Sequence, residues 1–336
     1  MRKSSIFLIG AFSCLFIAVN GFSSITASAE VGETVYVGGM PAGFTLKTGG
    51  AQVIGLSEIV SEGGVYSPAS QAGMRAGDII QKAAGISVKT IAELNEIVDK
   101  TKGKEVKLEV LRGGEKIEFS LHPVKEVQTG RYKIGVLVRE SISGIGTVTY
   151  IDKKTGRFGS LGHPVVGGDS MEMQVADGFV YACSIVGVHK GVRGKAGELR
   201  GMFLNDKCFG SAEKLSNCGI FGQISQEYSL QDLTSVSATS NYVKPGSAYI
   251  YSTVSGVLPK RYEIEIVKVD KNNRENKNFV IKVIDEDLIS ETGGIVQGMS
   301  GSPILQEGKL VGAVTHVFLN DPTRGYGIEI EKMLCE

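Results

Sequence analysis

Thr292-Gly293-Gly294-Ile295-Val296-Gln297-Gly298-Met299-Ser300-Gly301-Ser302-Pro303-Ile304 sets a serine beside glycines, with an apolar pair before the turn and a strand-like run, residues 304–314, after it. Glycine on both sides of a serine lets the backbone turn sharply, so the hydroxyl points outward and nearby N–H groups converge on one point. Acyl transfer needs that combination of nucleophile and oxyanion donors. Ser300 is the candidate nucleophile, and the N–H groups of Gly298 and Ser300 are the candidate oxyanion hole. Gly-x-Ser-Gly alone occurs in many turns; the Ser-Pro and strand that follow, late in a β-rich region, make it more specific. Ser302 reads as a structural neighbour.

A nucleophilic serine needs a base, and the chain has 4 histidines. His122 ends a hairpin, and His189 follows an apolar run in a basic loop. His316 sits among apolar residues in Val314-Thr315-His316-Val317, which fits a core histidine or one lining the site. His163 lies in Phe158-Gly159-Ser160-Leu161-Gly162-His163-Pro164, where glycine before and proline after constrain the loop. His163 is therefore the preferred base. The base needs an orienting carboxylate. Asp169, Asp177, Asp206, Asp232, Asp270, Asp285 and Asp287 all lie between His163 and Ser300. Asp285 follows a strand-like run directly and Asp287 is its local competitor; spacing does not choose between them. No HExxH or comparable spacing supports a metal, and no cofactor is expected.

Residues 126–336 read as short strands separated by Gly, Asn and Asp turns, which favours an all-β barrel or sandwich. Residues 44–125 read differently. They hold Ser67-Pro68-Ala69-Ser70-Gln71-Ala72-Gly73-Met74-Arg75-Ala76-Gly77-Asp78-Ile79-Ile80, then Ile91, Leu94, Ile97 and Val98 at helical spacing, then a hairpin through Arg112-Gly113-Gly114-Glu115. Residues 1–29 have a positive start at Arg2 and Lys3, an apolar run, and Ala27-Ser28-Ala29 at cleavage spacing, the layout of a signal peptide or signal anchor. Residues 30–43 read as a linker. The 336 residues carry 36 basic and 36 acidic side chains, so no excess charge marks a nucleic-acid partner. Cys183, Cys208, Cys218 and Cys335 read as buried or free thiols rather than a disulfide scaffold.

Residues 44–125 resemble a PDZ domain. The resemblance implies a groove between a strand and the helix near residues 91–98, where a peptide adds as a strand and its end meets backbone N–H groups. By position, Gly43, Phe44, Thr45 and Leu46 are the candidate peptide-binding residues. With the PDZ domain first, the His163 loop, the Ser300 run and Gly312-Ala313-Val314-Thr315-His316-Val317-Phe318-Leu319-Asn320-Asp321-Pro322-Thr323 resemble the stage IV sporulation protein B peptidases. That resemblance implies a chymotrypsin-like β-barrel peptidase domain and a triad of His163, Asp285 and Ser300. It also implies export across the forespore membrane into the intermembrane space, self-cleavage, and cleavage of a membrane-bound regulator of an intramembrane protease, which signals processing of a late mother-cell sigma factor. The competing reading is a non-catalytic secreted PDZ adaptor with a degenerate protease-like barrel.

Overall fold

The computed structural model describes residues 33–165 and 177–336; the expected signal segment and Asp169 lie outside the described residues. Most of the chain is strand. The opening strand β1 (Glu33–Val37) is followed by the long β2 (Pro41–Leu56). Next come β3 (Ile79–Ala83), helix α1 (Ile91–Lys100), and the hairpin β4 (Val106–Arg112) and β5 (Glu115–Leu121). The second long strand, β6 (Val136–Asp152), leads into β7 (Arg157–Leu161), β8 (Asp177–His189), β9 (Glu198–Ser216) and β10 (Gly219–Ile224). The last part holds β11 (Gly246–Ser252), β12 (Lys260–Val269), β13 (Phe279–Val283), helix α2 (Glu286–Thr292), β14 (Pro303–Gln306), β15 (Lys309–Phe318) and β16 (Asp321–Glu329).

Among the described residues four apolar cores organise these elements. The PDZ core gathers Val53, Met74, Ile80, Leu94, Val98, Leu108 and Ile134. A second core gathers Phe44, Leu46, Val148, Ile151, Phe158, Val180 and Ile220. A third gathers Ile250, Ile264, Ile266, Phe279, Ile281, Leu288, Met299 and Ile304. A fourth gathers Val35, Val37, Tyr150, Phe221, Leu310 and Ile328. Each such side chain taken fully from water contributes roughly 1.5–3 kcal/mol before chain entropy is counted. Strand alternation explains the third core: in β12, Tyr262, Ile264 and Ile266 are buried while Glu263 and Glu265 between them are exposed.

The PDZ domain is held by a buried charge pair. Asp78 is fully buried and takes Arg112 Nε at 2.6 Å and a terminal guanidinium nitrogen at 2.7 Å, with the Arg75 N–H at 2.9 Å. Helix α1 starts in a capping box: Thr90 accepts from Glu93 N–H while Glu93 accepts from Thr90 N–H.

Two expectations are corrected by the strand pairing. Residues 30–43 do not form a linker over their described part, because β1 pairs with both β6 and the strand Ser235–Ala238, burying Val35 and Val37. Nor do Gly43, Phe44, Thr45 and Leu46 form a peptide-binding loop. They pair with residues 142–145 of β6 on one edge and residues 178–181 of β8 on the other, so no edge is open for an added strand. Phe44 and Leu46 are buried in the second core, and a Cβ on Gly43 would lie 2.5 Å from the Phe203 ring.

The reason is that β2 and β6 are shared. They run antiparallel from Leu56 opposite Val136 to Pro41 opposite Thr147, with register breaks between Leu137 and Val138 and between Arg139 and Ser141. Residues 52–56 of β2 edge the first core, while residues 41–47 pair with β8 and bury Phe44 and Leu46 in the second. The segment between these two long strands is thus inserted into a sheet that already includes β1 and the first half of β2.

Candidate active site

His163 and Ser300 come from different cores and meet at one cavity. His163 follows β7, at the edge of the second core; Ser300 follows α2, at the edge of the third. The cavity encloses about 570 Å³, and Ser300, His163 and His316 line it together with Leu161, Ile295 and Val317.

The turn that carries Ser300 is fixed by strand β6. Thr147 N–H donates to the Ser300 carbonyl at 3.0 Å, Thr147 Oγ1 to the Gly298 carbonyl at 2.8 Å, and Thr149 Oγ1 to the Gly301 carbonyl at 2.8 Å. Gly301 has φ +93, and a Cβ there would lie 2.1 Å from Thr147 O and 2.6 Å from Leu161 N. Only glycine suits that position. Gly298 also has positive φ, +97.

The amides of this turn divide into two sets. Those of Gln297, Met299, Gly301 and Ser302 donate to Gly197, Val296, Val314 and Met299 carbonyls. Those of Gly298 and Ser300 donate to no acceptor among the described residues. Unpaired main-chain N–H groups at a cavity wall are what an oxyanion site requires. Ser302, by contrast, is fully buried and its hydroxyl donates to Ser252 Oγ at 3.0 Å, a structural role.

The His163 loop is set by two consecutive left-handed residues, Leu161 at φ +73 and Gly162 at φ +71. A branched side chain in that region is strained, by on the order of 1–3 kcal/mol. A Cβ on Gly162 would lie 2.9 Å from Ile328 and 3.0 Å from Thr315 side chains, so the loop sits close on β15 and β16. His163 Nδ1 lies 2.9 Å from the Pro164 carbonyl. A carbonyl only accepts, so Nδ1 carries the hydrogen and Nε2 of the neutral ring keeps its lone pair free. Burial holds the His163 pKa below the usual value, partly opposed by that hydrogen bond. The His316 ring stands 5.0 Å from the His163 ring, centroid to centroid. Loss of water around it, repulsion from His163 and the Lys277 ammonium bring its pKa down to about 4.

Ser300 Oγ donates to the Thr315 carbonyl at 2.9 Å, so its hydroxyl rests on the main chain. Thr315 Oγ1, buried beside the same cavity, has no hydrogen-bond partner among the described residues.

Asp285 is not brought to His163. It is the N-cap of α2: Oδ1 accepts from Leu288 N–H at 2.9 Å and Oδ2 from Glu263 N–H at 3.1 Å. Asp287 lies exposed in the first turn of the same helix. Among the described residues the His163 ring is oriented by the Pro164 carbonyl instead. The signal for the cap was local: an aspartate just before the apolar positions of a short helix that ends at Gly293, φ +79. His316 was legible only as a histidine that either fills a core or lines a site; the cavity settles on the second. Cys183 and Cys218 are buried free thiols, and Cys208 and Cys335 are exposed ones. Among the described residues no three His, Cys, Asp or Glu side chains gather as metal ligands.

Residues 50–122 match the PDZ domain profile. A stretch of 99 residues is 36% identical to the "Putative zinc metalloprotease LL2128" of Lactococcus lactis subsp. lactis, covering 29% of this chain and 21% of that protein. The chain therefore spans about a fifth of the length of that curated relative. Among solved structures, the Rv3671c protease of M. tuberculosis in its inactive form is 15% identical with a TM-score of 0.34, over 57% of this chain and 83% of its own. The HtrA-type protease AlgW with tripeptide is 15% identical with a TM-score of 0.32, over 57% of this chain and 54% of its own. Residues 130–334, more than half of the chain, match the profile described as SpoIVB peptidase S55, and with Ser300, His163 and the free turn amides inside that span, the chain belongs to the SpoIVB family of serine peptidases.

Proposed function

We propose that the protein is an exported serine endopeptidase that cleaves a membrane-associated regulator of an intramembrane protease, and its own chain, during spore formation. It would act in the space between the forespore and mother-cell membranes and so signal processing of a late mother-cell sigma factor. The observation that carries the reading is the Ser300 turn, whose hydroxyl shares a cavity with His163 and whose Gly298 and Ser300 amides are unpaired among the described residues. In the reaction the Ser300 hydroxyl leaves the Thr315 carbonyl and gives its proton to His163 Nε2 as Oγ attacks the scissile carbonyl. The two free amides hold the oxyanion, and His163 returns the proton to the leaving amine. The Pro164 carbonyl takes the orienting part that an aspartate plays in the usual triad.

The test is incubation of purified wild-type and Ser300→Ala protein with a candidate regulator, followed by mass mapping of all fragments. Self-cleavage and regulator cleavage by wild type, both lost in a folded Ser300→Ala protein, support the reading. Equal cleavage by both proteins contradicts it.

A further inference from the structure

We infer that the groove of the inserted PDZ domain is a strand-addition site whose ligand is residues 132–140 of this same chain, so that a competitor must be an extended apolar strand rather than a chain end. The segment is fastened along its whole length. Its start is tied to the end of helix α1, where Tyr132 N–H donates to Asp99 Oδ1 at 2.9 Å. The Ile134 carbonyl accepts from Ala69 N–H at 2.9 Å and the Gly135 carbonyl from Ser57 N–H at 3.0 Å. Residues 136–139 then pair antiparallel with residues 56–52 of β2. Val136 and Val138 pack on the PDZ core, as does Ile97 of α1, while Leu137 between them is exposed. Arg139 Nε donates to Gln52 Oε1 at 2.9 Å. At the far end the Glu140 carboxylate accepts from Ile91 N–H, the first amide of α1, at 2.7 Å. One segment thus touches both ends of the helix and the full edge of the strand, which is the position of an added peptide.

The occupant also excludes chain ends. A terminal carboxylate bound there would sit where β2 begins its PDZ half, beside Thr48 and Gly50. There Thr48 Oγ1 reaches the Glu140 carbonyl at 3.3 Å, and the chain runs on through Ser141 opposite Lys47. Continuity then joins the groove to the active site. The same strand lines the catalytic cavity at Ile142, Ser143, Gly144 and Ile145, and reaches the Ser300 turn at Thr147. Displacing residues 136–140 would free the PDZ end of a strand whose other end holds the oxyanion turn.

The test uses the full chain carrying Ser300→Ala, so that binding is read without catalysis and independently of the serine-peptidase reading. The probes are a labelled, end-blocked peptide of residues 133–141 (Lys-Ile-Gly-Val-Leu-Val-Arg-Glu-Ser) and an unrelated peptide with a free apolar carboxyl end. The expected result is that Val138→Asp binds the strand peptide at least ~10-fold more tightly than the parent, because its own occupant is weakened, and that neither binds the free-ended peptide more tightly than the strand peptide. Should Val138→Asp fail to fold, Glu140→Gln decides: hydrogen exchange at residues 136–139 rises relative to the parent. A parent that binds the free-ended peptide as tightly as the loosened variants, or unchanged exchange in folded Glu140→Gln, overturns the occupancy. With Ser300 restored, saturating strand peptide lowers reporter cleavage by Glu140→Gln; bound peptide with unchanged cleavage overturns the link to the active site.

Discussion

Thr147 donates its main-chain N–H to the carbonyl of Ser300 at 3.0 Å and its hydroxyl to the carbonyl of Gly298 at 2.8 Å. One residue of β6 therefore fixes the Gly298 and Ser300 carbonyls in the turn that holds the proposed oxyanion amides. Thr147→Val keeps the shape and the N–H but leaves the Gly298 carbonyl without its partner. The expected cost is about 1–3 kcal/mol of stability, with a fall in kcat/KM larger than that loss of folded protein explains. Thermal melts beside steady-state hydrolysis of a reporter peptide check it; unchanged kinetics would show that the turn holds itself.

The Asp285 side chain caps α2, and its bonds to Leu288 and Glu263 amides predict a stability phenotype. Asp285→Ala costs about 0.5–2 kcal/mol and leaves kcat near wild type once folding is allowed for. A drop of three orders of magnitude or more (roughly what a triad carboxylate costs) in a fully folded variant would return Asp285 to the catalytic role that the family resemblance implies.

Both histidines of the cavity are held below their ordinary pKa, His316 at about 4. A base works in its neutral form, so kcat/KM stays on its plateau below pH 6.5 and falls only as the His163 ring protonates at lower pH. Stability follows the same sign. The contribution is fully present above the unfolded-state value near 6.5 and is lost as pH falls from there toward the folded values, because the unfolded chain then binds more protons. A pH–rate profile and melts over the same range test both; an acid limb centred above 6.5 contradicts the assignment.

Gly301→Ala would place a Cβ 2.1 Å from Thr147 O at a φ of +93. The backbone must move, and the strained conformation alone costs about 1–2 kcal/mol. The expected outcome is a lowered melting temperature with activity lost even at temperatures where the variant is folded. Wild-type activity in this variant would mean that the turn is less constrained than its contacts require.

What the sequence made legible was mostly local. Ser300, His163 and Gly298, the proposed nucleophile, base and an amide donor, sit in short glycine-bounded turns and line one cavity. The PDZ domain was legible from the run ending in Gly77-Asp78-Ile79-Ile80 and the helical spacing of Ile91, Leu94 and Val98. The role of β1 was hidden because a five-residue strand acquires its place only through partners more than a hundred residues away, at Tyr150 and Val236. The insertion of the PDZ domain was hidden for the same reason: Phe44-Thr45-Leu46 has strand character in either domain, and only pairing with residues 142–144 and 178–180 decides between them. Asp285 lay at a strand end as expected, but the helix start beside it competes for the same carboxylate.

The central claim is that Ser300 is a nucleophile activated by His163, and fluorophosphonate labelling followed by peptide mass mapping tests it most directly. Wild-type protein is predicted to take one label, on Ser300, at a rate that falls by at least ~10²-fold in folded His163→Ala protein. No label on Ser300, or equal labelling with and without His163, would contradict it.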